Sequence, residues 1–290
     1  MSDYTSRILQ RRDLVHFLSG QLLGFALDDY FTGAYLGAFD ERDRPVGFIF
    51  TGHREDMSER LIGVPHVVDE MAPDPEAEEF LVREALKQAR SEVPVVLAAV
   101  YSDQSPQERE RLQRIYGDLG MAYLRDSTRM YRELSDLPQN PELDLAGLDD
   151  LGTDTFATVA QNAARCSEWE DIEFDQYLEV WRSSPRFDPE LFGVSTQDEQ
   201  PTGVVLARLD RLDPTEGGFY FLGVLPEFRG QGLGKSLLIK GLHLLRDKGA
   251  ERTRQILPAG EGPGMRLLVS VGYRMVEWAR YFKYSTEEGG

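Results

Sequence analysis

The chain has 290 residues and a mass of 32.9 kDa, more than one domain of ordinary size holds and about right for two. A formal charge of −18 and a pI near 4.7 repel phosphate backbones and anionic lipid, so neither nucleic acid nor membrane is expected as a partner. Apolar residues at 41% suffice for packed cores, the single Cys166 excludes an internal disulfide, and His16, His53, His66 and His243 show no metal-ligand spacing, so no metal is expected.

The most apolar early stretch, Leu14 to Leu27, follows Arg11-Arg12 and invites comparison with an export signal. It runs into Asp28-Asp29 without a small-residue cleavage site and is short for a membrane span. It reads as an amphipathic first helix, and the chain as soluble and cytoplasmic.

Further along, the chain repeats itself. Tyr35 to Gly47 aligns with Leu191 to Gly203 at a constant offset of 156, matching Gly37 with Gly193, Pro45 with Pro201 and Gly47 with Gly203. Both copies read as strand, polar turn, strand, and the runs Val46–Phe50 and Val204–Leu206 are apolar throughout, as strands covered on both faces require. Pro73 then matches Pro226, and Gly120 matches Gly272. Between these markers each copy carries helix, strand, helix: Glu78–Arg90, Val93–Tyr101 and Ser105–Asp118 in the first, Gly232–Lys248, Arg252–Leu257 and Pro263–Val271 in the second.

A Pro and Asn cluster near Ser135–Pro141 marks the seam. Two α/β domains follow, over residues 1–136 and 143–286.

In the second copy the strand Phe219–Val224 halts at Pro226, and Arg229-Gly230-Gln231-Gly232-Leu233-Gly234-Lys235 leads into a helix with apolar residues at 237, 238, 241, 242 and 245. The first amides of a helix lack intrahelical partners and carry partial positive charge, so a glycine-lined helix start binds anions. Arg229 and Lys235 add full charges suited to a diphosphate. The spacing fits neither the GxGxxG dinucleotide fingerprint nor a P-loop, which needs four residues between its glycine and Gly-Lys-Ser.

At these residues the chain resembles the Gcn5-related N-acetyltransferase (GNAT) superfamily, whose acyl-CoA motif Arg/Gln-x-x-Gly-x-Gly/Ala follows Val-x-Pro. Val224-Leu225-Pro226 and Arg229-Gly230-Gln231-Gly232-Leu233-Gly234 match it in full. With Val271-Gly272-Tyr273 at the family's Leu-Gly-Phe position, the resemblance spans most of residues 145–286. The first half is similar in layout only, which suggests a tandem arrangement like that of mycothiol synthase-type proteins. The resemblance implies two tandem GNAT-like domains, each a mixed, mostly antiparallel central sheet flanked by helices.

The resemblance further implies an acyltransferase acting on amino groups, with acetyl-CoA as co-substrate and a small amine as acceptor, attacking the thioester directly in a ternary complex. Leu222, Gly223 and Val224 would offer strand backbone to the pantetheine arm, and Arg229, Gly230, Gln231, Gly232, Leu233, Gly234 and Lys235 would cradle the diphosphate. Cys166 then reads as an ordinary helix residue rather than a nucleophile. An internal pair of similar domains is compatible with a monomer.

Two departures stand out. The family's general-acid tyrosine position is Leu268, and its asparagine position is Glu261. Tyr116 holds the tyrosine position of the first copy, where helix packing is the expected role. The missing acid leaves a second reading open, a non-catalytic acyl-CoA-binding sensor or interaction protein.

Placing Pro73 on Pro226 puts Glu76, Glu79 and Leu81 where Arg229, Gly232 and Gly234 stand, so the first copy is expected not to bind CoA and to serve as scaffold. Glu168, Glu170, Asp171, Glu173 and Asp175, with Trp169 among them, mark the acceptor side and suit a cationic amine. Glu216 and Tyr220 are the candidate base-side groups; Trp278 and Tyr281 in the last strand are expected to pack.

Overall fold

The computed structural model describes residues 4–9, 32–53, 59–67, 74–167, 170–182, 187–210, 213–260 and 262–285. Leu14–Leu27, Pro73, Glu168, Trp169 and Glu261, each singled out in the sequence, lie outside them. Two compact units form, one from Met1–Ser127 with Glu277–Gly290, the other from Thr128–Val276.

The first unit begins with strands β1 (Thr5–Ile8), β2 (Thr32–Phe39), β3 (Pro45–His53), β4 (Glu59–Ile62) and β5 (His66–Val67). Helix α1 (Pro75–Ala89), strand β6 (Val95–Tyr101), helix α2 (Pro106–Asp118) and strand β7 (Ala122–Glu133) follow. The β2–β3 hairpin closes on Asp40, whose carboxylate accepts the amides of Arg42 and Arg44 at 2.9 Å. β1 to β4 pair antiparallel in order, and β4 runs parallel to β6 over four residues, Glu59↔Val95 to Ile62↔Ala98.

Both helices of this unit cap themselves. Asp74 accepts the Glu76 and Ala77 amides at 3.0 and 3.1 Å, and Ser105 with Glu108 forms a reciprocal capping box. The apolar face of α1, including Leu81, Ala85 and Ala89, is buried with Val46, Ile49 and Val96 of the sheet. Each such large aliphatic contributes roughly 1.5–3 kcal/mol on burial. Glu78 is buried beneath α2 and satisfied by Arg111 through two hydrogen bonds of 2.5 and 2.8 Å.

The second unit continues with β8 (Leu145–Gly147), α3 (Leu148–Leu151), α4 (Thr153–Ala164), α5 (Phe174–Arg182), β9 (Phe192–Gln197), β10 (Gln200–Leu209) and β11 (Glu216–Val224). It is completed by α6 (Leu233–Asp247), β12 (Arg252–Pro258), α7 (Pro263–Ser270) and the start of β13 (Arg274–Ser285). The sheet order is β12-β11-β10-β9-β8, antiparallel except for β11–β12. The helix spans expected for the second copy agree with α6 and α7 to within a residue at each end. Gly241 of α6 lets the Phe219 ring approach to 2.5 Å of where a Cβ would stand, so helix and sheet pack close on that face.

The last strands depart from the expected division at 1–136 and 143–286. From Glu277 onward β13 belongs to the first unit, pairing antiparallel with β6 from Ala279↔Tyr101 to Ser285↔Val95. Thr128–Glu133 of β7 belongs to the second unit, where Arg274 lies 5.5 Å over the Tyr131 ring. Two copies with the same order of elements do not reveal which sheet a terminal strand joins. Trp278 and Tyr281 consequently lie half-buried in the first unit, beneath Arg109 and Arg125.

Candidate active site

Strand β11 changes character halfway along. Its register against β10 slips between Phe219 and Phe221, leaving Tyr220 as the extra residue of a bulge. Phe219 therefore faces α6, while Tyr220 stacks on Trp181 of α5 at 4.5 Å and Phe221 meets Phe174 at 4.9 Å. On the other edge, β11 pairs with β12 at Glu216↔Arg252 and Gly217↔Thr253 only. At the next place the main chains no longer meet, and the Gln255 side chain spans the gap. It accepts from the Phe219 amide at 3.0 Å and donates to the Phe219 carbonyl at 3.2 Å. Beyond it, among the described residues, Leu222, Gly223 and Val224 have no strand on the β12 side.

The chain then turns through a 3₁₀ turn at Pro226–Phe228 and enters α6. Gly230 and Gly232 sit at φ +79° and +86°, backbone that L side chains rarely adopt, with open space where a Cβ would stand. Gly234 has an ordinary helical backbone, and a Cβ there would lie 3.7 Å from Val224 and Leu267. The protein's own packing therefore does not require glycine at 234.

Among the described residues, the five amides from Gly230 to Gly234 have no hydrogen-bond acceptor. The N-cap, Gly232, makes no side-chain cap bond, and the first turn holds no acidic residue. Lys235 and Ser236 are the first amides to bond inward, both to the Gly232 carbonyl. The Lys235 ammonium is exposed and unpaired among the described residues. Five donors, a helix dipole and a lysine lie within six consecutive residues in a chain of net charge −18.

The guanidinium of Arg229, expected to add its charge to this loop, points elsewhere. It donates to the carbonyls of Val224 at 3.0 Å, Ala163 at 3.1 Å and Arg165 at 2.6 Å. Helix α4 has no basic residue in its last turn, and Arg229 supplies the missing cation to its C-terminal carbonyls. Gln231 donates to the Glu227 carbonyl at 3.3 Å. Gly223 is needed for packing, since a Cβ there would press on Phe221 and Ala163.

The other sequence candidates scatter. Glu216 begins β11, roughly 25 Å of strand from Val224, and is ion-paired to Arg254 at 2.7 Å and Arg252 at 3.4 Å. Tyr220 is held between aromatic neighbours, with Arg208 over its ring at 5.3 Å. Glu170, Asp171, Glu173 and Asp175 are exposed around the start of α5, where carboxylates also complement the helix dipole. The Glu170 carboxylate accepts the Cys166 amide at 2.9 Å. Cys166 is not within a helix as expected but follows α4 at φ +58°.

No tyrosine replaces the missing acid at position 268, where Leu268 is buried in the core. Tyr273 is buried on β13's approach, accepts a hydrogen bond from Thr253 at 2.7 Å, and burial pushes its hydroxyl pKa up. Tyr116 is wholly buried in the first unit against Phe282, its hydroxyl pKa likewise raised by burial. Both tyrosines are packing residues.

Among the described residues, the first unit has no counterpart to the open helix start. The N-terminal amides of α1 are taken by Asp74, itself held by the Tyr4 hydroxyl at 2.5 Å. Asp74, not Glu79, therefore occupies the position of Gly232: the first copy's loop is shorter than the Pro73–Pro226 alignment assumed, and Glu79 lies inside the helix.

Residues 156–259 match the model of the acetyltransferase (GNAT) family. The mycothiol acetyltransferase of Thermobispora bispora is 29% identical over 175 residues, 55% of this chain and 57% of that protein. That of Mycolicibacterium smegmatis is 30% identical over 146 residues, 47% of this chain and 48% of that protein. The chain thus spans about half the length of the curated relatives it matches. Among solved structures, a GCN5-related N-acetyltransferase from Sphaerobacter thermophilus superposes with a TM-score of 0.73 at 14% identity, covering 100% of this chain and 98% of that one. A tandem GNAT protein from the clavulanic acid biosynthesis pathway gives 0.60 at 13% identity, covering 90% and 85%. The motif after β11 and the family match agree with the fold, and the C-terminal unit carries a GNAT domain at 156–259.

Proposed function

We propose that the C-terminal unit binds acetyl-CoA and transfers its acetyl group to the amine of a small acceptor. The observation that carries this reading is the run of five amides without acceptors among the described residues, Gly230 to Gly234, directly after a strand edge that its neighbour has left. The residues present fit such a ligand. The open amides and helix dipole suit a diphosphate, and the Leu222–Val224 edge suits an extended chain of amides pairing as an added strand.

When bound, the co-substrate supplies an activated acetyl thioester. The chain's contribution is placement: holding an acceptor amine against a fixed acyl group replaces a bimolecular encounter with an oriented one. The relatives' names support acetyl transfer as the reaction class, and the exposed carboxylates Glu170, Asp171, Glu173 and Asp175 favour a cationic amine. The N-terminal unit, with Asp74 on its helix amides, acts as scaffold and binds no CoA. Leu268 favours one further reading, acyl-CoA binding without transfer.

Thermal-shift titration with acetyl-CoA, desulfo-CoA and ATP tests the binding class, and thiol release with a panel of amines separates enzyme from sensor. Gly232→Glu places a carboxylate among the open amides, where repulsion of a diphosphate is about 4 kcal/mol per close charge pair at an intermediate dielectric. That variant loses the CoA-induced shift. Retention of the shift would mean that the loop is not the site.

A further inference from the structure

The two units carry the same parallel strand pair with opposite outcomes. In the first unit β4 and β6 start at Glu59↔Val95 and remain paired to Ile62↔Ala98. In the second, β11 and β12 start at Glu216↔Arg252, and the same count reaches Phe219 and Gln255. There the backbones have separated, and the Gln255 amide stands between them, bonded to both the N–H and the C=O of Phe219. A side-chain amide has the donor and acceptor of a peptide group, so Gln255 satisfies the strand as a neighbouring backbone would while holding that backbone one side-chain length away. Ala98, at the matching place, is fully buried and has no such group.

The surroundings are fitted to this insertion. Gly218 precedes the wedge, and a Cβ there would lie 3.0 Å from the Gln255 Oε1 and 2.9 Å from the Arg254 carbonyl. The bulge at Tyr220 follows directly. The parting of the strands is therefore built from three adjacent features, of which Gln255 alone bridges the gap.

We infer that Gln255 is a positioning residue that keeps the Leu222–Val224 edge of β11 open for the pantetheine arm of acyl-CoA. The inference rests on the reading of this edge as the acyl-CoA site. Both hydrogen bonds of the Gln255 side chain go to Phe219, on β11 ahead of the loop, so its loss acts on the arm and leaves the nucleotide end alone.

The test compares two ligands by calorimetry on the full chain: acetyl-CoA, and adenosine 3′-phosphate 5′-diphosphate, which keeps the diphosphate and lacks the arm. In Gln255→Met, which retains length without hydrogen bonds, the Kd for acetyl-CoA rises about tenfold while that for the nucleotide is unchanged. Nucleotide binding also reports that the variant is folded; should Gln255→Met not fold, Gln255→Glu, which keeps the acceptor for the Phe219 amide, is measured instead with the same expectation in direction. Unchanged acetyl-CoA affinity, or an equal loss for both ligands, overturns the inference. If the wild type binds neither ligand, the reading of the loop fails first and the inference falls with it.

Discussion

Replacing Arg229 by Met separates two roles that the motif position alone confounds. In the structure the guanidinium makes three hydrogen bonds to carbonyls, at 3.0, 3.1 and 2.6 Å, tying the end of β11 to the end of α4. Hydrogen bonds from charged donors are worth about 1.5–3 kcal/mol each when well shielded. Arg229 is exposed, so solvent competes for each bond, and about 2 kcal/mol in total is the reasonable sum. For a cooperative unit of this size that lowers Tm by about 4–8 °C, read by calorimetry on the transition of the C-terminal unit. Arg229→Lys recovers little of it, because one ammonium cannot spread across three carbonyls as a planar fork does. The reasoning is refuted if Arg229→Met melts within about one degree of wild type yet loses acetyl-CoA affinity, since the guanidinium would then serve the ligand and not the helix end.

Other expectations follow from the first unit. Arg280 holds the Asp126 carboxyl below its ordinary value of 3.8, so the pair's contribution is complete above that pH and disappears as pH falls through the lowered value. The Tm difference between wild type and Asp126→Asn is therefore expected in full at pH 7 and shrinks as the pH falls below 3.8; a difference constant with pH would contradict the ion-pair origin. Truncation after Val276 strips β6 of its seven-residue partner from Ala279 to Ser285 and uncovers Tyr116. Limited proteolysis should then cut the first unit early while α6 and its sheet persist. Tyr116→Phe removes only a 3.3 Å bond to the Ala99 carbonyl, so a loss of about 1 kcal/mol in stability and unchanged acetyl transfer are expected, measured by denaturant unfolding and thiol release.

The parts of this molecule legible in the sequence are those decided locally. Residues at successive turns of a helix, 237, 238, 241, 242 and 245, announce α6, and glycines at 230 and 232 mark the positive-φ turns the loop requires. The hairpins β2–β3 and β9–β10 were visible because a polar turn between apolar runs has few alternatives. What escaped reading is decided by partners distant in the chain. Nothing near Arg229 reveals that its carbonyl partners are 64 and 66 residues away, and nothing in β12 marks Gln255 as a wedge 36 residues from Phe219. The exchange of terminal strands was hidden because both copies share one element order, and Glu79 was misplaced because a short loop was aligned on a single proline. Glu216, a base-side candidate from the sequence, begins a nine-residue strand whose other end, Val224, adjoins the loop.

The central claim is that the amides of Gly230 to Gly234 receive the diphosphate of coenzyme A. A crystal structure of the full chain with coenzyme A tests it most directly. The account predicts diphosphate oxygens about 3 Å from those amide nitrogens, with the pantetheine arm along Leu222–Val224; a diphosphate bound away from the N-terminus of α6 would contradict it.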